Sequence, residues 1–351
     1  MHLLYFLIDQ GMFKLYGMYF YKGYFMKLYF SILALFLSFS SVLTYSILPY
    51  IAHSHSQQDV PSDIQSSALQ LSDNCGIVQK RDMASVQRVC EVCYATQENM
   101  RGINGEAAYP NQDRIFIGSL AGRVGFGVFD GHGKEYGGYV AAYVRDALLI
   151  KIMGYKSLAL GASHACRWMQ NELKENKYKE AKEAGTTAVM GVLYDKTLTI
   201  INVGDSRAVK INADRTQVKQ LSTDHKPQIK TEQERIKNAG GFVHNGYVYN
   251  KLGYGLAISR SLGDLSAHDN EVITCEPEIE IYSVGAGDTL LFCSDGFWDV
   301  VSNERARELV VAYEGQSKEE KQKQSCAAYL AQEARKLKSH DDITVLVATV
   351  K

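Results

Sequence analysis

Six aspartates of the sequence stand at the edges of apolar runs, where rigid backbone can hold a carboxylate that still reaches solvent. They are Asp113, Asp130, Asp205, Asp295, Asp299 and Asp341. Each one singly fits ordinary turn chemistry, because Asp-Gly is a favoured hairpin turn and Asp is common where strands end. Together they are hard oxygen ligands without an accompanying Cys or paired-His pattern, and such a set suits Mg²⁺ or Mn²⁺ rather than zinc.

The elements that must position these acids are apolar runs rich in β-branched and aromatic residues, as buried strands require. Four such runs occupy residues 124–129, 197–203, 289–293 and 343–350. Helices are expected over 136–153 and 163–184, and capping-box patterns predict helix starts at Thr231 and Ser317. Strands and helices come in separate runs, so the sequence predicts an α+β fold with antiparallel sheets rather than a doubly wound parallel sheet.

Composition limits the classes of protein that the chain can represent. Its 351 residues suffice for one large domain or two small ones, and 46% hydrophobic residues permit a buried core. With 38 basic against 39 acidic residues, the chain lacks the basic excess expected for binding nucleic acid. Seven cysteines do not form a disulfide framework, and the lone pair Cys90 and Cys93 is expected on a helix face.

Residues 1–52 differ from the rest of the chain, because they carry three lysines against one aspartate and no charge over 28–52. That run of 25 residues is long enough to span a bilayer core, which needs about 20. The lysines precede it, so positive-inside logic places the amino terminus in the cytosol. Four interpretations stay open: an uncleaved signal anchor, a cleaved signal peptide, an artefact of a wrongly chosen start codon, and a buried soluble helix.

The predicted organisation is therefore a hydrophobic signal or anchor segment (1–52), a polar linker rich in Ser and Gln (53–81) and a folded domain (82–351). The first segment predicts membrane anchoring or the secretory pathway, with membrane association through residues 28–52. If that segment is a mis-assigned start, a cytoplasmic location is expected instead.

Seven motifs occur in a fixed order along the folded part of the chain. They are FGVFDGHG (126–133), GTTAV (185–189), VGDSRAV (203–209), LSTDHKP (221–227), LAISRSLGD (256–264), SDGFWDVVSN (294–303) and DDITV (341–345). In this order they resemble the metal-dependent serine/threonine protein phosphatases of type 2C, and PNQDR (110–114) resembles the first acidic motif of that family. The resemblance covers roughly residues 95–351.

The resemblance implies a central sandwich of two antiparallel β-sheets flanked by α-helices, with a binuclear metal cleft at one end. It also implies two Mg²⁺ or Mn²⁺ ions per domain, a third and weaker one, and a flap over about 226–252 that shapes substrate access. The implied metal ligands are Asp130, the carbonyl of Gly131, Asp295 and Asp341, with Asp113 holding metal-bound water and Asp205, Asp295 and Asp299 holding the third metal. His132 matches the general acid.

Three positions depart from the family pattern. Gln112 stands where many members have Glu, and Asp342 stands where Asn is usual. The phosphate-binding Arg is assigned to Arg101, although an extra loop separates it from Asp113. Arg114 is nearer in the sequence, but in a strand its side chain would point to the opposite side from that of Asp113.

The implied activity is hydrolysis of phosphoserine and phosphothreonine in phosphorylated proteins, by in-line attack of a hydroxide that bridges the two metals. A monomer that binds no nucleic acid is expected. Two alternatives stay open: a catalytically weak domain that serves as a tethered phosphoprotein-binding or regulatory module, and a related phosphatase that acts on a non-protein phosphoester. Metal-dependent hydrolysis of a generic phosphoester separates the binding module from the enzymes.

Overall fold

The computed structural model describes residues 78–100, 110–268 and 271–351, and near the amino terminus the backbone of two short strands. The chain divides into two compact units, 1–58 and 59–351. In the first unit, β1 (Met12–Leu15) and β2 (Met18–Tyr21) pair as an antiparallel hairpin.

The predicted apolar span over 28–52 lies outside the described residues, as does the predicted linker up to residue 77. Among the residues that the structure does describe, no helix combines the length and apolarity needed to cross a bilayer. The four residues that precede the predicted domain start at residue 82 form a strand, Val78–Arg81.

Two antiparallel sheets form the centre of the second unit. Its strands are β3 (Val78–Arg81), β4 (Cys90–Gln97), β5 (Arg114–Leu120), β6 (Arg123–Phe129), β7 (Gly131–His132), β8 (Gly185–Thr186), β9 (Ala188–Tyr194), β10 (Thr197–Val203), β11 (Arg207–Ile211), β12 (Val218–Gln220), β13 (Phe242–His244), β14 (Tyr247–Tyr249), β15 (Gly255–Leu256), β16 (Leu262–Gly263), β17 (Glu278–Ser283), β18 (Thr289–Cys293) and β19 (Ile343–Val350). One sheet has the order β17-β10-β9-β6-β5-β3 and the other β12-β11-β18-β19-β4. Only the edge pairing of β3 with β5 is parallel in these two sheets.

Nine helices are described in the second unit, and several of them cover the outer faces of the two sheets. They are α1 (Met83–Val89), α2 (Gly137–Gly154), α3 (Leu158–Asn176), α4 (Tyr178–Ala181), α5 (Lys230–Asn238), α6 (Asp295–Trp298), α7 (Asn303–Glu314), α8 (Lys318–Lys323) and α9 (Cys326–Lys336). Helices α2 and α3 pack on the six-stranded sheet, and α7 and α9 pack on the five-stranded sheet. Two three-stranded sheets, β13-β14-β15 and β16-β8-β7, lie outside the sandwich.

The core between the two sheets follows from the period of two along each strand. In β18, Leu290 and Phe292 face the six-stranded sheet, whereas Leu291 and Cys293 face the helices on the other side. The ring of Phe292 meets that of Phe126 from the opposite sheet, with centroids 6.0 Å apart. Both faces of the central strands are thus buried, which explains why their sequences are continuously apolar.

The structure confirms the predicted α+β class and the four predicted strands, which appear as β6, β10, β18 and β19. The capping box of Ser317 and Glu320 is formed. The predicted cap at Thr231 is wrong, because α5 begins one residue earlier and Ile229 at its N-cap offers no side-chain hydrogen bond.

The predicted helix face for the C-x-x-C pair is also wrong. Helix α1 ends at Val89, and Cys90 and Cys93 lie in β4. Strand β4 pairs along its whole length with β19, from Cys90 opposite Val350 to Gln97 opposite Ile343. The long ladder and the β-branched and aromatic content of this stretch outweigh the helical pattern that precedes it.

Candidate active site

The strand registers bring the predicted acids to one end of the sandwich. Asp113 precedes β5 and Asp130 follows β6, and these two strand ends are direct neighbours because Arg114 pairs with Phe129. In the other sheet, Asp295 follows β18 and Asp341 precedes β19, with Cys293 paired to Val345. Asp205 stands in the turn that leads from β10 in one sheet to β11 in the other. Antiparallel pairing therefore gathers acids that are up to 228 residues apart in the chain.

The gathered carboxylates repel one another strongly. Burial raises the pKa of Asp130 well above its usual range, and the charges of Asp295, Asp113, Asp205 and Asp341 raise it further. Burial likewise raises the pKa of Asp295 well above its usual range, with further contributions from Asp205, Asp341 and others. Such a cluster is electrostatically unfavourable without counter-charge, and shared carboxylates of this kind are typical of functional sites.

Asp113 is buried at the bottom of this cluster. Its backbone N–H donates to Oδ1 of Asn111 at 2.8 Å, and its Oδ2 accepts a hydrogen bond of 2.8 Å from the Ser294 hydroxyl. Burial raises its pKa to about 7, assisted by the charges of Asp342 and Asp341. Its other oxygen, Oδ1, is buried and has no hydrogen-bond partner among the described residues. A buried carboxylate oxygen without a partner fits a position that holds water or a cation.

The short helix α6 presents two acids to the same region. Asp295 begins the helix and Asp299 follows its last residue, so both lie on one face at a spacing of four. The Asp299 carboxylate raises the pKa of Asp295, and it also raises the pKa of Asp205 after the larger effects of burial and the nearby Asp224. Asp299 therefore lies near enough to Asp295 and Asp205 to act on the pKa of both carboxyl groups.

A lysine already pairs with this second group. Lys226 Nζ lies 2.5 Å from Oδ2 of Asp205. Burial lowers the pKa of Lys226, but the charges of Asp205, Asp295 and Asp299 outweigh it and the net shift is upward. Lys226 therefore supplies a fixed positive charge where the acids assigned to the third metal converge.

His132 is held beside the acids by the small sheet β16-β8-β7. Its Nε2 lies 2.7 Å from Oδ2 of Asp264, a residue that follows β16 and is buried. Burial lowers the pKa of His132, but the charge and hydrogen bond of Asp264 offset it and the net shift is upward. The imidazole is thus placed and oriented within reach of the acidic cluster.

The positions that depart from the family pattern have structural partners. Gln112 donates through Nε2 to the carbonyl of Gly133 at 2.7 Å. The Asp342 carboxylate accepts from Asn99, whose backbone N–H is 2.7 Å away, and from the backbone N–H of Gln112 at 2.9 Å. The backbone N–H of Asp342 also donates to Oδ1 of Asp341 at 2.9 Å, so Asp342 contacts one of the acids assigned to the metals. The Gln112 side chain instead binds a backbone carbonyl.

Of the two arginines that the sequence offers for phosphate binding, the structure describes one. Arg101 lies outside the described residues. The Arg114 guanidinium is buried and donates to the carbonyls of Asn111 and Asp113 at 2.8 and 2.9 Å. These contacts hold Arg114 against the backbone beneath the site, consistent with its predicted orientation away from the Asp113 side chain.

The donor set fits divalent cations that keep much of their water. In the described part of the chain, no three His, Cys, Asp or Glu side chains are already grouped as a complete metal cage. Mg²⁺ requires no such cage, because it binds through one or two carboxylates and retains several waters. Half-buried Asp130, Asp295 and Asp341, together with the unpartnered oxygen of Asp113, provide carboxylates of this kind.

Sequence reasoning missed Asp264 and Ser294, and it assigned no role to Lys226. All three lie inside the quoted motifs LAISRSLGD, SDGFWDVVSN and LSTDHKP. Their presence in these motifs was the available signal, but no role could be assigned before the strand pairing placed each one against its partner.

Comparison with known proteins agrees with this geometry. The profile of the Protein phosphatase 2C family matches residues 97–343. A probable protein phosphatase 2C 69 of Arabidopsis thaliana is 36% identical over 229 residues, covering 63% of this chain and 60% of the relative. Protein phosphatase 1L of Bos taurus is 36% identical over 192 residues, covering 52% of this chain and 53% of the relative. The chain thus spans about half to three fifths of the length of these relatives.

Solved structures share the fold. The serine-threonine phosphatase 2C of Toxoplasma gondii superposes with a TM-score of 0.63 at 19% identity, covering 75% of this chain and 95% of that one. The phosphatase Stp1 of Staphylococcus aureus superposes with a TM-score of 0.54 at 22% identity, covering 75% of this chain and 95% of that one. The family match extends over most of the chain, and on this evidence the chain belongs to the protein phosphatase 2C family.

Proposed function

We propose that the chain is a Mg²⁺- or Mn²⁺-dependent protein phosphatase that removes phosphate from phosphoserine and phosphothreonine in proteins. The observation that carries the proposal is the convergence of four acids on Asp130, whose pKa burial and their charges raise well above its usual range. Family membership supports the same reaction class, because the relatives are named protein phosphatases.

In this proposal Asp130, the carbonyl of Gly131, Asp295 and Asp341 hold two cations, and Asp113 orients the attacking water. Asp205, Asp295 and Asp299 hold a third cation more weakly. When bound, the cations supply Lewis-acid activation of water and neutralise the charge on the phosphoryl group. His132 donates a proton to the leaving oxygen, a role suited to an imidazole beside the site. Arg101 is proposed to bind the phosphate.

The alternative of a catalytically weak binding module rested on Gln112, Asp342 and the displaced Arg101. The hydrogen bonds of Gln112 and Asp342 give these two residues a structural reason for their identities that leaves the acidic cluster intact. No observation of the described residues favours the module, so hydrolysis remains the proposed activity.

Residues 1–52 carry a separate proposal about location. The uncharged run over 28–52, preceded by lysines, supports a membrane anchor or a secretory signal. Fusion of residues 1–60 to a fluorescent reporter tests it. A reporter in the secretory pathway agrees with the proposal, and a diffuse cytosolic signal contradicts it.

Release of phosphate from a phosphothreonine peptide tests the proposed activity. The full chain is assayed with Mn²⁺, with Mg²⁺ and with EDTA, beside Asp295→Asn and the matched control Asp195→Asn. Asp195 lies in the exposed turn between β9 and β10, at a φ of 54° that Asn tolerates. We expect release that requires metal, survives in the control and is lost in Asp295→Asn. A folded wild-type protein that releases nothing with either metal would refute the proposal.

A further inference from the structure

The contact between His132 and Asp264 has a one-sided geometry. Nε2 of His132 points to the carboxylate at 2.7 Å, where the Asp264 side chain is 3% exposed and that of His132 is 27% exposed. The buried Asp264 carboxylate therefore hydrogen-bonds to Nε2, on the buried side of the imidazole. Nδ1 is the ring nitrogen that remains for a ligand.

Asp264 is itself fixed by the backbone around it. Its φ is 46°, in the left-handed region that Asp and Asn visit more readily than other residues with a side chain. Its N–H donates to the carbonyl of Ala184 at 2.9 Å, and its carbonyl accepts from the N–H of Ala267 at 2.7 Å. The carboxylate is thus presented to His132 from a rigid turn rather than from a mobile loop.

Gly185 provides the space in which the two side chains meet. It lies on the central strand β8, where it pairs with His132 of β7 on one side and with Gly263 of β16 on the other. A Cβ atom at this position would overlap both Oδ2 of Asp264 and Nε2 of His132. The ion pair therefore crosses over β8 at a residue that has no side chain to obstruct it.

We propose that Asp264 is a positioning residue for His132, which it holds through Nε2 so that Nδ1 faces the leaving oxygen of the phosphoester. Gly185 leaves the space in which the Asp264 carboxylate contacts the His132 imidazole. The proposal rests on the proposed phosphatase function and extends it to a residue outside the metal ligands.

The reaction gives this contact a specific consequence. Water adds to phosphorus, the bond between phosphorus and the threonine oxygen breaks, and that oxygen takes a proton from Nδ1 to leave as the free hydroxyl. The imidazole then regains a proton from solvent, and the products are inorganic phosphate and threonine. An alkoxide needs this proton, whereas the p-nitrophenolate ion is stable without it. Misplacing His132 must therefore slow phosphothreonine hydrolysis far more than hydrolysis of p-nitrophenyl phosphate.

The test compares Asp264→Asn, His132→Ala and the double variant in the full chain, with both substrates and saturating Mn²⁺. We expect Asp264→Asn to lower kcat for a phosphothreonine peptide by at least about tenfold, with KM within about threefold. For p-nitrophenyl phosphate we expect a change below about threefold. Because the two residues act as one unit, the double variant should be no slower on the peptide than His132→Ala alone.

Two further variants keep the outcome decisive. Asp288→Asn is the matched control, since Asp288 is buried and accepts hydrogen bonds from Ala213 and Gly285 in a turn remote in sequence from His132. The Asp288→Asn variant should hydrolyse both substrates at the wild-type rate. Gly185→Ala tests the same contact without altering either partner, and it should reproduce the substrate difference if Asp264→Asn does not fold.

Equal losses on both substrates, or multiplicative losses in the double variant, would show that Asp264 serves only the fold and would overturn the inference. Failure of the proposed function looks different, because the wild-type chain would then release phosphate from neither substrate.

Discussion

The hydroxyl of Ser294 donates a 2.8 Å hydrogen bond to Oδ2 of Asp113 and thereby links the ends of the two central sheets. Ser294 follows β18 of the five-stranded sheet, whereas Asp113 precedes β5 of the six-stranded sheet. The same hydroxyl accepts from the N–H of Thr344 at 3.0 Å, which fixes its orientation. One buried side chain therefore holds an acid of the site from the opposite layer of the sandwich.

Replacing Ser294 by Ala should weaken both the fold and the site. A hydrogen bond to a charged group contributes about 1.5–3 kcal/mol, so we expect the free energy of unfolding to fall by about 2 kcal/mol. Asp113 loses a donor that stabilises its ionised form, so metal binding should also weaken. Urea unfolding and calorimetric titration with Mn²⁺ measure the two effects.

The matched control for this change is Ser119→Ala. Ser119 donates to Oδ2 of Asp82 at 2.5 Å, a similar serine–carboxylate contact made by the opposite end of β5. The affinity for Mn²⁺ should remain at the wild-type value in this variant. Equal Mn²⁺ affinities in Ser294→Ala and wild type would contradict the role assigned to the contact.

The sequence predicts the positions of the acids well, because an Asp at the edge of an apolar run is fixed by local pattern alone. Antiparallel pairing then brings strand ends such as those of β5 and β6 together. The local pattern does not indicate which side chains contact each other across the two layers of the sandwich. The contacts of Ser294 with Asp113 and of Asp264 with His132 join residues 181 and 132 positions apart, and their recognition required the tertiary structure.

The two errors in the predicted secondary structure have similar causes. Cys90 and Cys93 follow a helical pattern, but pairing with β19 makes their segment a strand. Thr231 has a capping-box spacing to Glu234, yet α5 begins one residue earlier. Glu232 of this first turn instead binds Arg260 of a distant segment at 2.6 Å, as well as Arg235 of the same helix at 3.0 Å, so a tertiary ion pair holds the start of the helix. In both cases long-range partners outweigh a short-range preference.

The acidic cluster should make the metal-free protein less stable than its neutralised variant. Burial and the charges of Asp205 and Asp341 raise the pKa of Asp295, so ionising it opposes folding as the pH rises above the pKa of the unfolded chain. At pH 7 in EDTA we therefore expect the free energy of unfolding of Asp295→Asn to be higher than that of the wild type.

Adding Mn²⁺ should make the wild type more stable than Asp295→Asn. Cations that bind only the folded state raise its stability by mass action, and Asp295→Asn lacks one of the proposed ligands. Thermal unfolding of the wild type, Asp295→Asn and the control Asp195→Asn, each with EDTA and with Mn²⁺, measures both effects. A metal-free Asp295→Asn that is less stable than the control would show that the carboxylate is needed for the fold itself.

Lys226 should compete with the most weakly bound cation. Its ammonium lies 2.5 Å from Asp205, and both positive charges would share the same carboxylates. Replacing Lys226 by Met removes a positive charge that would compete with a cation for the Asp205 carboxylate, and we expect the weakest Mn²⁺ to bind at least about tenfold more tightly. Electron paramagnetic resonance of free Mn²⁺ during titration counts bound ions without requiring turnover.

The matched control is Lys210→Met, because Lys210 pairs with Asp288 at 3.4 Å rather than with an acid of the cluster. Its Mn²⁺ titration should coincide with that of the wild type. Weaker binding of the last Mn²⁺ in Lys226→Met would instead mean that Lys226 orients Asp205 for the cation.

Buried His225 should make stability depend on pH in the mildly acidic range. Burial lowers its pKa to about 3, with a further contribution from Arg260, and its Nδ1 accepts a hydrogen bond from the N–H of Gly204 at 3.1 Å. The folded protein thus keeps His225 neutral, whereas the unfolded chain takes up a proton near pH 6.5. The stability is fully present above that pH and is lost as the pH falls from about 6.5 towards 3.

Between pH 7 and pH 5 this one group should lower the free energy of unfolding by about 2 kcal/mol. His225→Gln keeps a side-chain acceptor but cannot take up the proton, so its stability should fall less over the same interval. Urea unfolding of both proteins at pH 7, 6 and 5 in EDTA gives the comparison, and EDTA removes the contribution of metal binding. Parallel stability curves for the two proteins would mean that His225 is not the group that couples folding to pH in this range.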